Sequence, residues 1–177
     1  MPISAKQLEK FNYNNIFIET GTGGGLGTLA AVEAGYKTIH TIEFYDTREK
    51  IAKKRLKEYD FVNIHKGDSD VVLGEILVDI NESATFWLDA HTGRDEPLVD
   101  PCPLLKELDV IRNHHIKSHT ILIDDIRYFR KGLKIWHSIT LDQIIGKIHP
   151  SYNIHYIDGF TTNDILVAEI KDVNRKE

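Results

Sequence analysis

The sequence predicts an α/β domain: a doubly wound, mostly parallel sheet of seven strands, the last one antiparallel, with helices on both faces. Three observations carry this. Short apolar runs rich in β-branched and aromatic residues alternate with helical patterns along most of the 177 residues, the arrangement of stacked βαβ units. Five glycines crowd positions 21–27, directly behind the first run, where such a sheet turns from strand to helix. Only residues 158–164 separate the last two runs, a link too short for a crossover helix, so these strands pair as an antiparallel hairpin.

In chain order, a first strand is expected over 15–20, and the glycines lead from it into a helix over 26–34. A second strand, 38–44, is followed by a helix over 47–59. In that helix Ala52, Leu56 and Tyr59 turn inward, while Lys50, Lys53, Lys54, Arg55 and Lys57 form a solvated face with Glu49 and Glu58 as partners, an RNA-binding strip being the alternative. A strand at 62–66 precedes a helix at 69–80, and a strand at 84–90 precedes one at 103–115. In the latter, Leu104, Leu105, Leu108 and Ile111 recur at helical spacing, with Lys106, Glu107, Asp109 and Arg112 on the other side. A strand at 120–126, a helix at 141–149 and the hairpin strands 153–157 and 165–170 complete the set, and the charged tail 171–177 is expected to fray.

Composition narrows the function classes. With 41% hydrophobic residues, 1–177 is expected to form a single domain with its core over about 15–170. A net charge of −5 provides no general attraction to nucleic acid or anionic lipid. The only cysteine, Cys102, has no second thiol for a disulfide or a zinc pair; it is expected to pack structurally, the alternative being a thiol whose pKa its place at a helix start lowers. No signal-like apolar run opens the chain, and no stretch approaches the roughly 20 apolar residues that span a bilayer. A cytoplasmic protein without a membrane partner is therefore expected, acting on a small molecule; homo-oligomerisation is left open.

The stretch FIETGTGGGLGT, residues 17–28, joins bare backbone to a carboxylate. Glycines at this handover let a ligand approach the main chain. Glu19, two residues before Gly21, sets up E-x-G-x-G-x-G through Gly23 and Gly25. A phosphate charge about 5 Å from that carboxylate would cost on the order of 3 kcal/mol at an effective dielectric near 20. A ligand carrying an amino group and a sulfonium would instead be attracted, and S-adenosyl-L-methionine carries both. Glu43, at the second strand's end, suits a ribose diol, a feature NAD would share. Gly67-Asp68-Ser69 follows the third strand and either reads an adenine amino group or simply caps the next helix.

At these positions the sequence resembles the class I S-adenosylmethionine-dependent methyltransferases, over about residues 15–170. E-T-G-T-G-G-G looks like their first motif, Glu43 like their ribose-binding acid and Asp68 like their adenine-binding acid. The resemblance implies a Rossmann-like sheet with a reversed seventh strand. It also implies a cofactor held by Glu19, Gly21, Gly23, Gly25, Glu43, Asp68, Ser69 and Asp89.

FWLDAH and ILIDD end the fourth and fifth strands, so Asp89, Asp124 and Asp125 are expected at one sheet edge. Three carboxylates so close repel, and a divalent cation relieves them; oxygen-only ligands suit Mg²⁺ or another hard ion. Such an ion lowers the pKa of an acceptor hydroxyl, a poor nucleophile while protonated. The pair of motifs resembles the metal site of the catechol-type and macrocin-type O-methyltransferases, although Asp125 stands where Asn is common. The alternative without a metal has Asp125 capping a turn. Asp89 and His91 are the candidate catalytic residues, His91 as general base. CPLLKELD, 102–109, has no chemical reading, and His114 and His115 are expected to complement the dipole of their helix.

The loops 92–101 and 127–137 are expected to shape the acceptor pocket; Phe129 and Trp136 in the second are read as core residues or as an aromatic clamp. Two rival functions stand beside methyl transfer. Gly25-Leu26-Gly27-Thr28-Leu29-Ala30 reads G-x-G-x-x-A, as in an NAD-dependent oxidoreductase, but begins too late after the strand. A catalytically idle cofactor-binding or scaffolding subunit is the other.

Overall fold

β1 (Ile16–Thr20) and β4 (Ala84–Leu88) are buried at every residue, as the central strands of a sheet covered on both faces must be. The computed structural model describes residues 3–91 and 100–170. Most of the loop 92–101 and the whole tail 171–177 lie outside these residues, so the expectations for them find no counterpart there.

β2 (Thr38–Glu43) and β3 (Val62–Lys66) extend the sheet to one side, and β5 (Thr120–Ile123), β7 (Ile165–Ile170) and β6 (Tyr152–Ile157) to the other. The order is β3-β2-β1-β4-β5-β7-β6. The pairings from β3 to β5 are parallel, whereas β7 runs antiparallel to both β5 and β6. The expected fold class therefore holds, reversed strand included. Chain order reverses between β1 and β4, so a crevice opens there at the carboxyl ends of the strands.

Two apolar layers flank the sheet. α1 (Ala5–Leu8) and α2 (Leu26–Glu33) cover one face, where Phe17, Ile39, Trp87 and Leu122 are buried. α4 (Ser69–Leu77), α5 (Leu104–Asn113) and α7 (Leu141–Lys147) cover the other, over Ile18, Phe86 and Ile123. α3 (Asp46–Leu56) buries Ala52 and Leu56 and exposes its lysines, as the charge pattern requires. Among the described residues no helix is long and apolar enough to cross a membrane.

The unexpected elements are short. α1 begins with a capping box in which Ser4 and Gln7 satisfy each other's backbone amides. α6 (Ile126–Phe129) and a 3₁₀ turn at Lys134–Trp136 occupy the expected loop 127–137. Phe129 and Trp136 are buried there, the core alternative of the two. β5 stops at Ile123, before the expected end at 126, because Asp125 takes a left-handed conformation at φ 60°.

Two expectations about polar groups need correction. Glu107 is not on a solvated face: it is 1% exposed, between α5 and α4. His114 does not serve its own helix's dipole. It is buried, its Nε2 lies 3.0 and 3.1 Å from the carbonyls of Leu77 and Ile80, and burial lowers its pKa. Cys102 is buried, and burial pushes its thiol up to about 12, consistent with packing.

Candidate active site

The glycine turn is built around contacts that tolerate no side chain. Gly21 adopts φ +84°, and a Cβ there would stand 2.3 Å from the carbonyl oxygen of Asp89. The end of β1 can thus press directly against the end of β4. Gly23 (φ +55°) has nothing within 4 Å of a Cβ and opens into the crevice. Gly25 is the left-handed N-cap of α2, and lines neither cavity described below.

A cavity of about 230 Å³ sits at the strand ends. Gly21, Gly23, Glu43, Asp68, Ser69 and Asp89 all line it, so it brings together most of the cofactor residues expected from sequence. His91 lines it too, as do Phe44, Tyr45 and Arg48, which sequence reasoning missed. Glu43 is buried and accepts hydrogen bonds from the amides of Gly23 (2.7 Å) and Tyr45 (2.8 Å). Asp68 holds the N-cap position of α4, yet its side chain makes no capping bond. The carboxylate is therefore not committed to the helix. Ser69 donates its hydroxyl to Glu107 Oε1 at 2.5 Å. Burial raises the Glu107 carboxyl to about 7, against the pull of the Ser69 and Thr20 hydroxyls.

A second cleft of about 300 Å³ shares Gly21, Gly23 and Asp89 with the first and adds Glu19, Asp124, Asp125 and Arg127. Glu19 therefore borders this cleft rather than the first cavity. It is 2% exposed, and its Oε2 accepts bonds from Thr28 (2.5 Å) and Thr41 (2.6 Å). Burial lifts its pKa to about 7 despite these bonds.

The acids of the β4 and β5 ends do not form the expected oxygen-only trio. Among the described residues, potential ligand atoms converge in two overlapping groups, Asp89–His91–Asp125 and Asp124–Asp125–Asp164. In the second, Arg127 bonds Asp164 through both backbone and side chain and pairs with Asp125 Oδ1 at 2.5 Å. Asp124 accepts the amide of Asp125 at 2.7 Å. In the first, His91 Nε2 lies 3.3 Å from Asp125 Oδ2 and 3.6 Å from Asp89 Oδ1. Burial raises Asp89 to about 8, reinforced by Asp124, Asp125 and Glu19 and opposed by His91. Asp124 rises to about 6, first through burial and then through the Asp125 charge. Asp125 moves the other way, held down by His91 and Arg127 despite its burial.

Sequence carried little signal for Asp164 or Glu107. Asp164 sits in the hairpin link and reaches the site only through the antiparallel pairing of β7 with β5. Glu107 was hidden because its neighbours Lys106 and Asp109 mark a polar stripe.

No protein-family model matches the sequence, and no curated protein matches it. Solved structures do. An O-methyltransferase from Bacillus cereus in complex with SAH matches with TM-score 0.68 and 15% identity, over 94% of this chain and 80% of that one. An SAH-bound methyltransferase from Podospora anserina matches with TM-score 0.66 and 15% identity, over 95% and 76%. The N-methyltransferase NodS from Bradyrhizobium japonicum matches with TM-score 0.56 and 14% identity, over 94% and 92%. At such identities the likeness is one of fold, and the fold is that of the class I methyltransferases.

Proposed function

We propose that this chain transfers a methyl group from S-adenosyl-L-methionine to a hydroxyl of a small-molecule acceptor, assisted by a divalent cation. The carrying observation is the single cavity lined jointly by Gly21, Gly23, Glu43, Asp68, Ser69 and Asp89. In this reading Glu43 accepts the ribose hydroxyls, Asp68 accepts the adenine amino group with Ser69 beside it, and Gly21 and Gly23 give the methionyl chain room. Gly25 sets the entry angle of α2. Glu19 and Asp89, which border the second cleft, would receive the ammonium of the cofactor's amino-acid end. SAH in two structures of the same fold supports this choice of cofactor.

A dinucleotide fits less well. The Gly23 amide, which a pyrophosphate would need, already donates to Glu43, and the buried carboxylates nearby would repel two further negative charges.

The chemistry is an in-line displacement. S-adenosyl-L-methionine, when bound, would supply its methyl carbon to the acceptor oxygen, the C–S electron pair returning to sulfur as a neutral thioether. The hydroxyl proton goes to the Asp89 carboxylate. A cation held by Asp89 and Asp125, with Asp124 bonded to the Asp125 amide beside them, would lower the pKa of the acceptor hydroxyl. The donor set fits a cation because buried carboxylates gather there with few counter-charges. The O-methyltransferase among the similar folds favours oxygen as the acceptor atom, and the acidic surroundings suit a hydroxyl that must lose a proton.

Titration calorimetry with S-adenosylhomocysteine tests the cofactor. One site per chain is expected, and the absence of heat at millimolar ligand would overturn the reading. Labelled S-adenosyl-L-methionine offered with panels of sugars, phenols and amines tests the acceptor; label on amines alone would remove the hydroxyl.

A further inference from the structure

We infer that His91 is a metal ligand, so that Asp89, His91 and Asp125 form a mixed nitrogen–oxygen site for a first-row divalent transition metal such as Mn²⁺, Fe²⁺, Co²⁺ or Zn²⁺. This deepens the metal-assisted reading above and rests on it. In this role His91 gives its lone pair to the cation and is not the group that takes the acceptor's proton.

Three observations converge. The ligand atoms of the three side chains all lie within 4.8 Å of one another. The His91 side chain is 2% exposed, and its Nε2 is buried with no hydrogen-bond partner. Its ring is wedged against Trp136 (4.5 Å between centroids) and Phe129 (5.5 Å), so it cannot swing out to water without breaking that packing. A buried imidazole nitrogen is rarely left unpaired.

The spacing separates this arrangement from a simple ion pair. At 3.3 and 3.6 Å neither carboxylate oxygen meets Nε2 in good hydrogen-bond geometry, although, despite burial, the nearness of Asp125 favours a charged ring when no cation is bound. Three ligand atoms sharing one cation stand at separations of this size. With metal–ligand bonds of about 2.1 Å they correspond to angles of about 105° and about 120°, suiting four- or five-coordination better than the near-octahedral shell of Mg²⁺. Imidazole nitrogen likewise favours first-row transition metals over Mg²⁺.

The neighbouring group of acids makes the contrast. There Arg127 supplies the positive charge for Asp125 and Asp164. That same Arg127 holds Asp125 Oδ1, leaving Oδ2 turned toward His91, the kind of outer contact that orients a metal ligand.

The test uses the full chain stripped by chelation and titrated with MnCl₂, CoCl₂ or MgCl₂ alone. One equivalent of Mn²⁺ or Co²⁺ is expected to bind about 10- to 100-fold more tightly than Mg²⁺. Pulsed EPR of the Mn²⁺-loaded wild type is expected to show modulation from a coordinated imidazole nitrogen. His91→Ala should abolish that modulation and most of the preference over Mg²⁺. Equal affinities, no stoichiometric binding, or no nitrogen modulation in the wild type would each overturn the inference. The wild-type spectrum needs no variant, so a misfolded His91→Ala protein would not blunt the test. Calorimetry with S-adenosylhomocysteine on the same samples separates the failures: cofactor heat without metal binding removes the metal site and leaves methyl transfer, whereas metal binding without cofactor heat does the reverse.

Discussion

At the amino edge of the sheet, below β4 and β5, polar groups are buried in a closed chain of hydrogen bonds; at the carboxyl edge they are buried with valences left over. The amide of Ala84 donates to His119 Nδ1 at 3.1 Å, so the proton of that ring must sit on Nε2. Nε2 then donates to His114 Nδ1 at 2.9 Å, and His114 Nε2 donates to the carbonyls of Leu77 and Ile80. Beside it, Asn14 donates to Thr85 (3.1 Å), whose hydroxyl donates to the carbonyl of Phe11. The opposite edge holds Glu19, Glu107, Asp89 and Asp124, all with raised pKa values, a left-handed Asp125 and an orphaned His91 Nε2. Equal burial has different consequences: satisfied polar groups stabilise a fold, and unsatisfied ones are tolerated where a ligand completes them.

Substituting the amino edge gives the largest effect. His119→Phe keeps the ring volume but strands the Ala84 amide and His114 Nδ1. A loss of about 3 kcal/mol in unfolding free energy is expected, measured by urea denaturation. Affinity for S-adenosylhomocysteine, measured on the surviving folded protein, should not change. A tenfold drop would mean that the two edges are not independent.

Asp89→Asn turns the comparison around. It removes one of several mutually repelling carboxylates, one that burial already holds at about 8. The substitution should leave the ligand-free chain as stable or about 1 kcal/mol more stable, while costing about 10- to 100-fold in cofactor or metal affinity. A destabilised Asp89→Asn protein with intact binding would make Asp89 a structural acid.

The edges also predict opposite pH responses. Burial first, then the neighbouring His114 and the cations around it, lowers His119 from 6.5 to about 3. Between those values the unfolded chain binds a proton that the folded chain refuses, so this group's stability is lost as pH falls from 6.5 toward 3. Glu107 is raised from 4.5 to about 7. The folded chain holds that proton longer, so its contribution is full below 4.5 and is lost as pH rises through 7. Each slope is at most about 1.4 kcal/mol per pH unit. Glu107→Gln should flatten the loss between pH 4.5 and 7 and leave the acid limb intact; an unchanged curve would show that Glu107 ionises freely.

The sequence made the carboxyl edge legible and the amino edge almost invisible. Glycine density, an acid at the end of β2 and two D-containing strand ends are local signals, because the topology brings strand ends to one place whatever the helices do. The His114–His119 chain depends on how α4 and α5 meet beneath β4, which no spacing encodes. The same limit hid Glu107 behind Ser69 and split the aspartates. Asp124 and Asp125 are adjacent in sequence and share a group with Asp164, but beyond the left-handed turn only Asp125 also meets Asp89 and His91, whose ring Phe129 and Trp136 pin.

The basic face of α3 belongs to neither edge and calibrates both. Lys53 pairs with Glu49 at 2.7 Å across one helical turn while its side chain stays 58% exposed. Water screens such a pair, so Lys53→Ala should cost about 0.3–0.5 kcal/mol. Cofactor affinity should not move, because among the α3 residues only Arg48 lines the cavity. Electrophoretic mobility shift with single-stranded RNA supplies the complementary readout. A negatively charged chain whose lysines are solvated should give no complex at physiological salt. A complex that weakens when Lys53, Lys54 and Lys57 become alanine would turn this face into a working surface, and the larger acceptor it implied would have to reach the Asp89 edge from the α3 side.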